Sequence, residues 1–247
     1  MTLEITTERV VVPVDGGQMK AYLARPKGGG PHPGVIVWEE IFGVNSHIRD
    51  VTERVAREGY VAIAPNFFHR TAPDLDVGYD DAGRAAGIAA MQKLDADQMI
   101  ADARAALAFL RAQPGTTQKV GVMGFCIGGH MTYLTAAETD VAAAASFYGG
   151  GIAAKQGPGG KPTPIHRTNK IKGRILCLFG GKDAMIDAAQ VAAIRQALEQ
   201  HSVRHEIVVY PDADHGFFCD QRPTYDEAAA KDAWERVKRL FAAELKS

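Results

Sequence analysis

From residue 33 onward the chain alternates short, uninterrupted apolar runs with longer segments of helical period. The runs are "PGVIVWEE" (33–40), "YVAIAPNFF" (60–68), "KVGVMGF" (119–125), "VAAAASFYG" (141–149), "RILCLFGG" (174–181) and "HEIVVYP" (205–211). A strand that is apolar at consecutive positions has both faces buried, the condition of a parallel sheet covered by helices on each side. The intervening segments fit that role. "HIRDVTERVAREG" sets Ile48, Val51 and Val55 at helical spacing, with Gly59 to stop the helix. Further helices are expected over 95–113, from about 127 to 137, over 188–201 and over 224–245. Ahead of them "RVVVPVDGGQMKAYLARP" predicts a hairpin turning near Asp15-Gly16-Gly17. Residues 70–95 show no clean period and read as a loop with short helical pieces. The expected fold is α/β: a mostly parallel central sheet of about eight strands, helices on both faces, right-handed crossovers, and one domain over 1–247.

Composition narrows the function. A formal net charge of -1 gives no reason to expect nucleic acid or an anionic membrane as partner. The 3 cysteines, Cys126, Cys177 and Cys219, are too few and too odd in number for a disulfide framework, which favours a reducing compartment. The opening "MTLEITTERV" lacks the basic and apolar regions of a secretory signal, and no run is long enough to span a membrane. A cytoplasmic protein is the expectation. The Gly-rich stretches "PKGGGPHPG" and "GGGIAAKQGPGGKP" lack phosphate-cradle spacing and read as conformational spacers.

One cysteine stands out. Gly124-Phe-Cys126-Ile-Gly128 follows an apolar strand and opens a helix, with the form G-x-nucleophile-x-G. At such a sharp turn the central residue takes a strained conformation, and side chains two positions before and after it would collide. The helix beginning at Ile127 aims unpaired N–H groups and its dipole at the sulfur, favouring thiolate and oxyanion alike. A buried, inert cysteine beside a tight turn is the plain alternative for these five residues alone.

The rest of the chain supplies partners in the order an elbow enzyme needs: nucleophile, acid, histidine. Asp183 and Asp187 follow the strand at 174–181, and His215 follows the strand at 205–211. Asp183, closer to its strand, is the better acid, while Asp187 suits a helix cap. Asp212 and Asp214 stand too near His215 in sequence to orient it and suit a turn. His215 would take the thiol proton and Asp183 would fix its tautomer. His130, one turn into the elbow helix, is expected to pack there, and Cys177 to sit in the core; nothing in the sequence gives Cys219 a role.

Three segments, "EEIFGVNSHIRD" (39–50), "GFCIGGH" (124–130) and "DADHGFFCDQRPTYDEAAAKDAW" (212–234), resemble the dienelactone hydrolase (carboxymethylenebutenolidase) family of the α/β-hydrolase superfamily. The cysteine is the telling part, because most of the superfamily carries serine at the elbow. The resemblance implies an α/β-hydrolase fold, a triad of Cys126, Asp183 and His215, and a monomer. It implies that Glu40 interacts with the resting thiol and helps form thiolate when substrate arrives, and that the N–H groups of Ile41 and Ile127 form an oxyanion hole. A carboxylate at the end of the apolar run 33–40 is costly without a partner, which independently marks Glu40; Glu39 better suits a cap or solvent-facing turn.

The expected activity is opening of a lactone or small ester through a cysteine nucleophile and an acyl-enzyme, with no metal or organic cofactor. A broader carboxylesterase or thioesterase with the same triad is the alternative. A scaffold without activity is disfavoured by the intact set of Cys126, Asp183, His215 and Glu40, and a redox protein by the absence of C-x-x-C. Trp38, Phe42 and Tyr148 are candidate apolar walls of the pocket, and Tyr79 and Arg84, from 70–95, candidate substrate contacts. The family binds a substrate carboxylate with arginines, one shortly after the histidine; Arg222 stands seven residues on, and sequence alone does not bring it to the pocket.

Overall fold

The computed structural model describes residues 3–246; Met1, Thr2 and Ser247, the ends of the expected domain, lie outside the described residues. Strands β1 (Ile5–Val14) and β2 (Gly17–Pro26) form the expected hairpin, turning at Asp15 and Gly16. β3 (His32–Trp38), β4 (Val61–Pro65), β5 (Thr116–Phe125), β6 (Ala143–Phe147), β7 (Arg174–Gly180) and β8 (His205–Tyr210) follow. All belong to one 8-stranded sheet in the order β1-β2-β4-β3-β5-β6-β7-β8. The hairpin joins antiparallel through β2 and β4, and every pairing from β4 to β8 is parallel. The central strands are buried along nearly their whole length, as their continuous apolar character requires.

The helices are α1 (Ser46–Arg57), α2 (Asp81–Met91), α3 (Ala96–Arg111), α4 (Ile127–Glu138), α5 (Ala188–Gln200) and α6 (Glu227–Leu245). Asp187 caps α5 as expected, accepting from Gln190 N at 2.8 Å, and Asp226 caps α6, accepting from Ala229 N at 3.0 Å. Both caps start their helices at a definite residue, so α6 opens three positions later than the expected 224.

The helix α2 corrects the reading of 70–95 as loop with short helical pieces. Its buried residues are Gly83, Gly87 and Ala90, so it docks through a groove of small residues and shows no apolar stripe. At Gly87 a Cβ would fall 2.9 Å from the carbonyl carbon of Ile41. That contact seats α2 directly on the turn after β3. β3 also ends earlier than its apolar run: Glu39 and Glu40 lie beyond it, in the turn that leads to α1.

Candidate active site

Cys126 sits between β5 and α4 with φ 58° and ψ -119°, a conformation that a residue with a Cβ adopts only under constraint. The constraint is visible on both sides. Cys126 N donates to Phe147 O at 3.0 Å, and its carbonyl accepts from Gly129 N at 2.9 Å and His130 N at 3.1 Å. A Cβ on Gly124 would come within 2.7 Å of Trp38 Cβ, and one on Gly128 within 2.5 Å of Trp38 O. Both glycines are therefore steric necessities of the turn. Ile127 opens α4, so its N–H has no partner within the helix and points from the positive end of the helix dipole.

The turns after β7 and β8 bring the other two groups together. Asp183 Oδ2 lies 2.7 Å from His215 Nδ1, and both residues are buried. Asp183 Oδ1 accepts from the N–H groups of Met185 (2.8 Å) and Ile186 (3.3 Å), which leaves Oδ2 for the imidazole. Asp214 holds the turn by accepting from His215 N at 2.6 Å, and Asp212 pairs at the surface with Lys182 at 3.0 Å. A carboxylate on Nδ1 fixes the proton there and turns Nε2 towards the thiol. Nε2 is buried and has no hydrogen-bond partner. Burial acts to lower the pKa of His215, but the charges of Cys126 and Asp183 outweigh it and push it up to about 10.

Tyr148 braces the histidine. It is wholly buried at φ 36°, its N–H donates to Leu178 O at 2.7 Å, and its ring stands edge-on to His215 at 5.0 Å. Trp38 lies deeper than a pocket wall would: it is wholly buried, and its indole N–H donates to Thr135 Oγ1 at 3.1 Å beneath the elbow. Its work is to support the turn.

On the other flank Glu40 is buried, and its Oε1 accepts from Arg222 Nη1 at 3.0 Å while Oε2 has no partner. The guanidinium of Arg222 covers the rings of Phe42 at 5.6 Å and Tyr79 at 5.8 Å, and those rings meet edge-on at 4.6 Å. Arg222 is thus a member of the site that the sequence left unplaced. Its pKa, lowered by burial, is raised overall by Glu40, with Cys126 among the smaller contributors. Tyr79 accepts from Asn45 Nδ2 at 3.1 Å; burial and the Glu40 charge hold its phenol protonated. Cys219 is buried beside them, its thiol pushed up to about 12 by burial and by Glu40, and Cys177 in β7 reaches about 12 by burial alone.

Glu39 is not the solvent-facing residue expected: it is wholly buried, and burial raises its pKa well above the carboxylate range, with the backbone of Phe68 and Phe67 opposing. Burial thus disfavours its charged form. Arg84 stands exposed in the first turn of α2, without an ion pair among the described residues.

A cavity of about 490 Å³ opens over Cys126 and Ile127, bounded by Met91, Gln92, Met185 and the Gly-rich stretch 150–160. That stretch, read from sequence as a spacer, is a wall of this cavity. A separate hollow of about 470 Å³ beside β2 holds Arg9, Lys20 and Asp74 and none of the expected site residues. Among the described residues no group of three or more His, Cys, Asp or Glu side chains is placed to hold a metal ion, and no helix is long and apolar enough to cross a membrane.

The sheet order, the strained elbow and the acid–histidine pair beyond β7 and β8 define an α/β-hydrolase. The sequence profile described as the dienelactone hydrolase family matches residues 19–245. A protein named "Putative carboxymethylenebutenolidase" from Synechocystis sp. is 47% identical over 247 residues, covering 100% of both chains. One of the same name from Escherichia coli K12 is 38% identical, over 93% of this chain and 84% of its own. The crystal structure of a "Putative Dienelactone Hydrolase" from Klebsiella pneumoniae superposes with TM-score 0.88 at 36% identity, covering 97% of this chain and 99% of its own. A dienelactone hydrolase-like promiscuous phosphotriesterase from metagenomic libraries shares the fold, with TM-score 0.82 at 24% identity over 97% and 98% of the two chains. This chain belongs to the dienelactone hydrolase family, and it is a hydrolase of the carboxylic-ester class.

Proposed function

We propose that the chain opens a lactone or small ester, dienelactone-like, with Cys126 as nucleophile and a thioester as intermediate. The observation that carries this reading is Cys126 at φ 58° on the elbow, facing a histidine whose Nδ1 is held 2.7 Å from Asp183. The thiolate attacks the carbonyl carbon, and the oxyanion accepts from the N–H groups of Ile127 and Ile41, each such donor being worth about 2.7–4 kcal/mol in comparable hydrolases. The ring C–O bond breaks, and the leaving oxygen takes its proton from His215. His215 then removes a proton from water, which attacks the thioester and restores the thiol.

Glu40 serves the resting thiol with its free Oε2, since Arg222 occupies Oε1. Arg84 and Arg222 offer positive charge to a substrate carboxylate, and Phe42, Tyr79 and Tyr148 bound the space around it. One chain carries every group in this scheme, so a monomer suffices, and its three free thiols suit the reducing cytoplasm.

A panel of dienelactone, p-nitrophenyl esters and aryl thioesters, run on the parent and on Cys126→Ala, tests the reading. Dienelactone is expected to give the highest kcat/KM, and the alanine variant to lose all turnover while keeping its fold by circular dichroism. Full activity in the variant rejects the mechanism; a preference for simple esters or thioesters moves the assignment to a broader carboxylesterase or thioesterase.

A further inference from the structure

His130 takes no part in the scheme above, yet it lines the same cavity as Cys126. It sits one helical turn beyond the nucleophile and is 2% exposed. Its Nδ1 lies 3.1 Å from Gly150 O. A carbonyl oxygen only accepts, so the ring proton is on Nδ1 and Nε2 carries a lone pair. Burial pushes the pKa down to about 4, and the ring keeps this neutral form at neutral pH. Nε2 is buried and has no hydrogen-bond partner. Buried acceptors are paired as a rule. His130 lines a reaction cavity, and its Nε2, sealed from solvent in this structure, is filled when a substrate brings a donor and the wall gives by the little needed to admit it.

The surrounding wall says what kind of group that is. No Lys, Arg, Asp or Glu is among the residues lining this cavity; Met91, Met185, Gln156 and glycine backbone make up most of it. An ionised group entering here would lose its hydration and find no counter-charge. The cations of the site, Arg222 among them, stand outside this lining. An uncharged group with a hydroxyl or N–H fits both the wall and the bare acceptor.

We propose that His130 Nε2 accepts a hydrogen bond from a hydroxyl or N–H on the uncharged arm of the substrate while its ester carbonyl stands over Cys126. His130 is then a substrate-recognition residue, and between esters or lactones otherwise alike it favours the one whose uncharged arm carries a hydroxyl or N–H. The proposal rests on the ester-hydrolase reading above.

Two matched pairs of esters test it: 3-hydroxyphenyl against 3-methylphenyl acetate, and p-nitrophenyl 3-(hydroxymethyl)benzoate against its 3-ethyl analogue. The wild type is expected to favour the hydroxyl member of at least one pair by roughly tenfold or more in kcat/KM, because a site built around a bare acceptor rejects the analogue that cannot fill it. His130→Phe should erase that preference, the hydroxyl-to-alkyl ratio of kcat/KM falling to about one, and His130→Gln, which keeps an acceptor, should retain part of it. Turnover of the alkyl esters with no hydroxyl preference in either pair overturns the proposal, as does a preference that survives in His130→Phe. Should the phenylalanine variant not fold, the wild-type comparison alone decides the matter. Absence of turnover with all four esters overturns this proposal, and dienelactone run on the same preparation shows whether the lactone-opening reading falls with it.

Discussion

Arg222 Nη1 lies 3.0 Å from Glu40 Oε1, joining the turn after β3 to the loop after β8 across 182 residues of sequence. Glu40 is 1% exposed and Arg222 19% at the side chain, so the pair is shielded from solvent. The guanidinium rests on Phe42 and Tyr79, which fixes its plane, and this leaves Glu40 Oε2 as the only free oxygen of the carboxylate. Two flanks of the site are thereby tied into one electrostatic unit.

Removing one partner of that unit leaves a buried charge unpaired. Arg222→Met is expected to cost about 3 kcal/mol of stability at pH 7, and Glu40→Gln/Arg222→Met to recover much of it. Urea denaturation of the two single variants and the double variant measures the coupling. Strictly additive losses would show that the two side chains do not support one another.

The elbow glycines and an open glycine should respond in opposite ways. Gly128→Ala drives a Cβ against the backbone of Trp38 and Glu39, atoms that cannot move aside, and should cost about 3 kcal/mol or prevent folding. Gly78→Ala meets nothing within 4 Å and should stay within about 0.5 kcal/mol. Thermal melts of both variants decide; equal melting temperatures would contradict the steric account of the turn.

His215, pushed up to about 10 in the folded protein, has a folded pKa above its ordinary 6.5. Its charged partners therefore contribute stability that is fully present below about pH 6.5 and fades as pH rises through about 10. NMR titration of the ring should show an imidazolium persisting well above neutral pH. In Cys126→Ala, where the contribution of the sulfur is gone, the midpoint should fall by about one unit or more. An unchanged midpoint there would mean that Asp183 alone sets the histidine.

Arg84, exposed on α2 and free of ion pairs among the described residues, should matter only for anionic substrates. Arg84→Gln is expected to raise KM for dienelactone by roughly tenfold and leave p-nitrophenyl acetate within about twofold. Equal effects on both substrates would place its role in the fold of α2 and not in carboxylate binding.

Much of this architecture was legible in one dimension. Strands buried on both faces must be apolar at consecutive positions, so β3 to β8 announce themselves, and an elbow must be framed by residues without side chains, so Cys126 does too. Asp183 and His215 followed from their order after successive strands, and the fold sets Asp183 Oδ2 2.7 Å from His215 Nδ1. What has no one-dimensional signature was decided by packing. α2 buries glycines against Ile41 and so carries no apolar period. Glu39 and Glu40 are adjacent and chemically identical, yet one is sealed where burial disfavours its charge while the other meets Arg222. Arg222 reaches the site because the loop after β8 folds back over the turn after β3, and His130 shows a bare acceptor because its other nitrogen is taken by Gly150. Local sterics and burial write themselves into residue type; the meeting of side chains from distant loops depends on where the completed sheet sets those loops down.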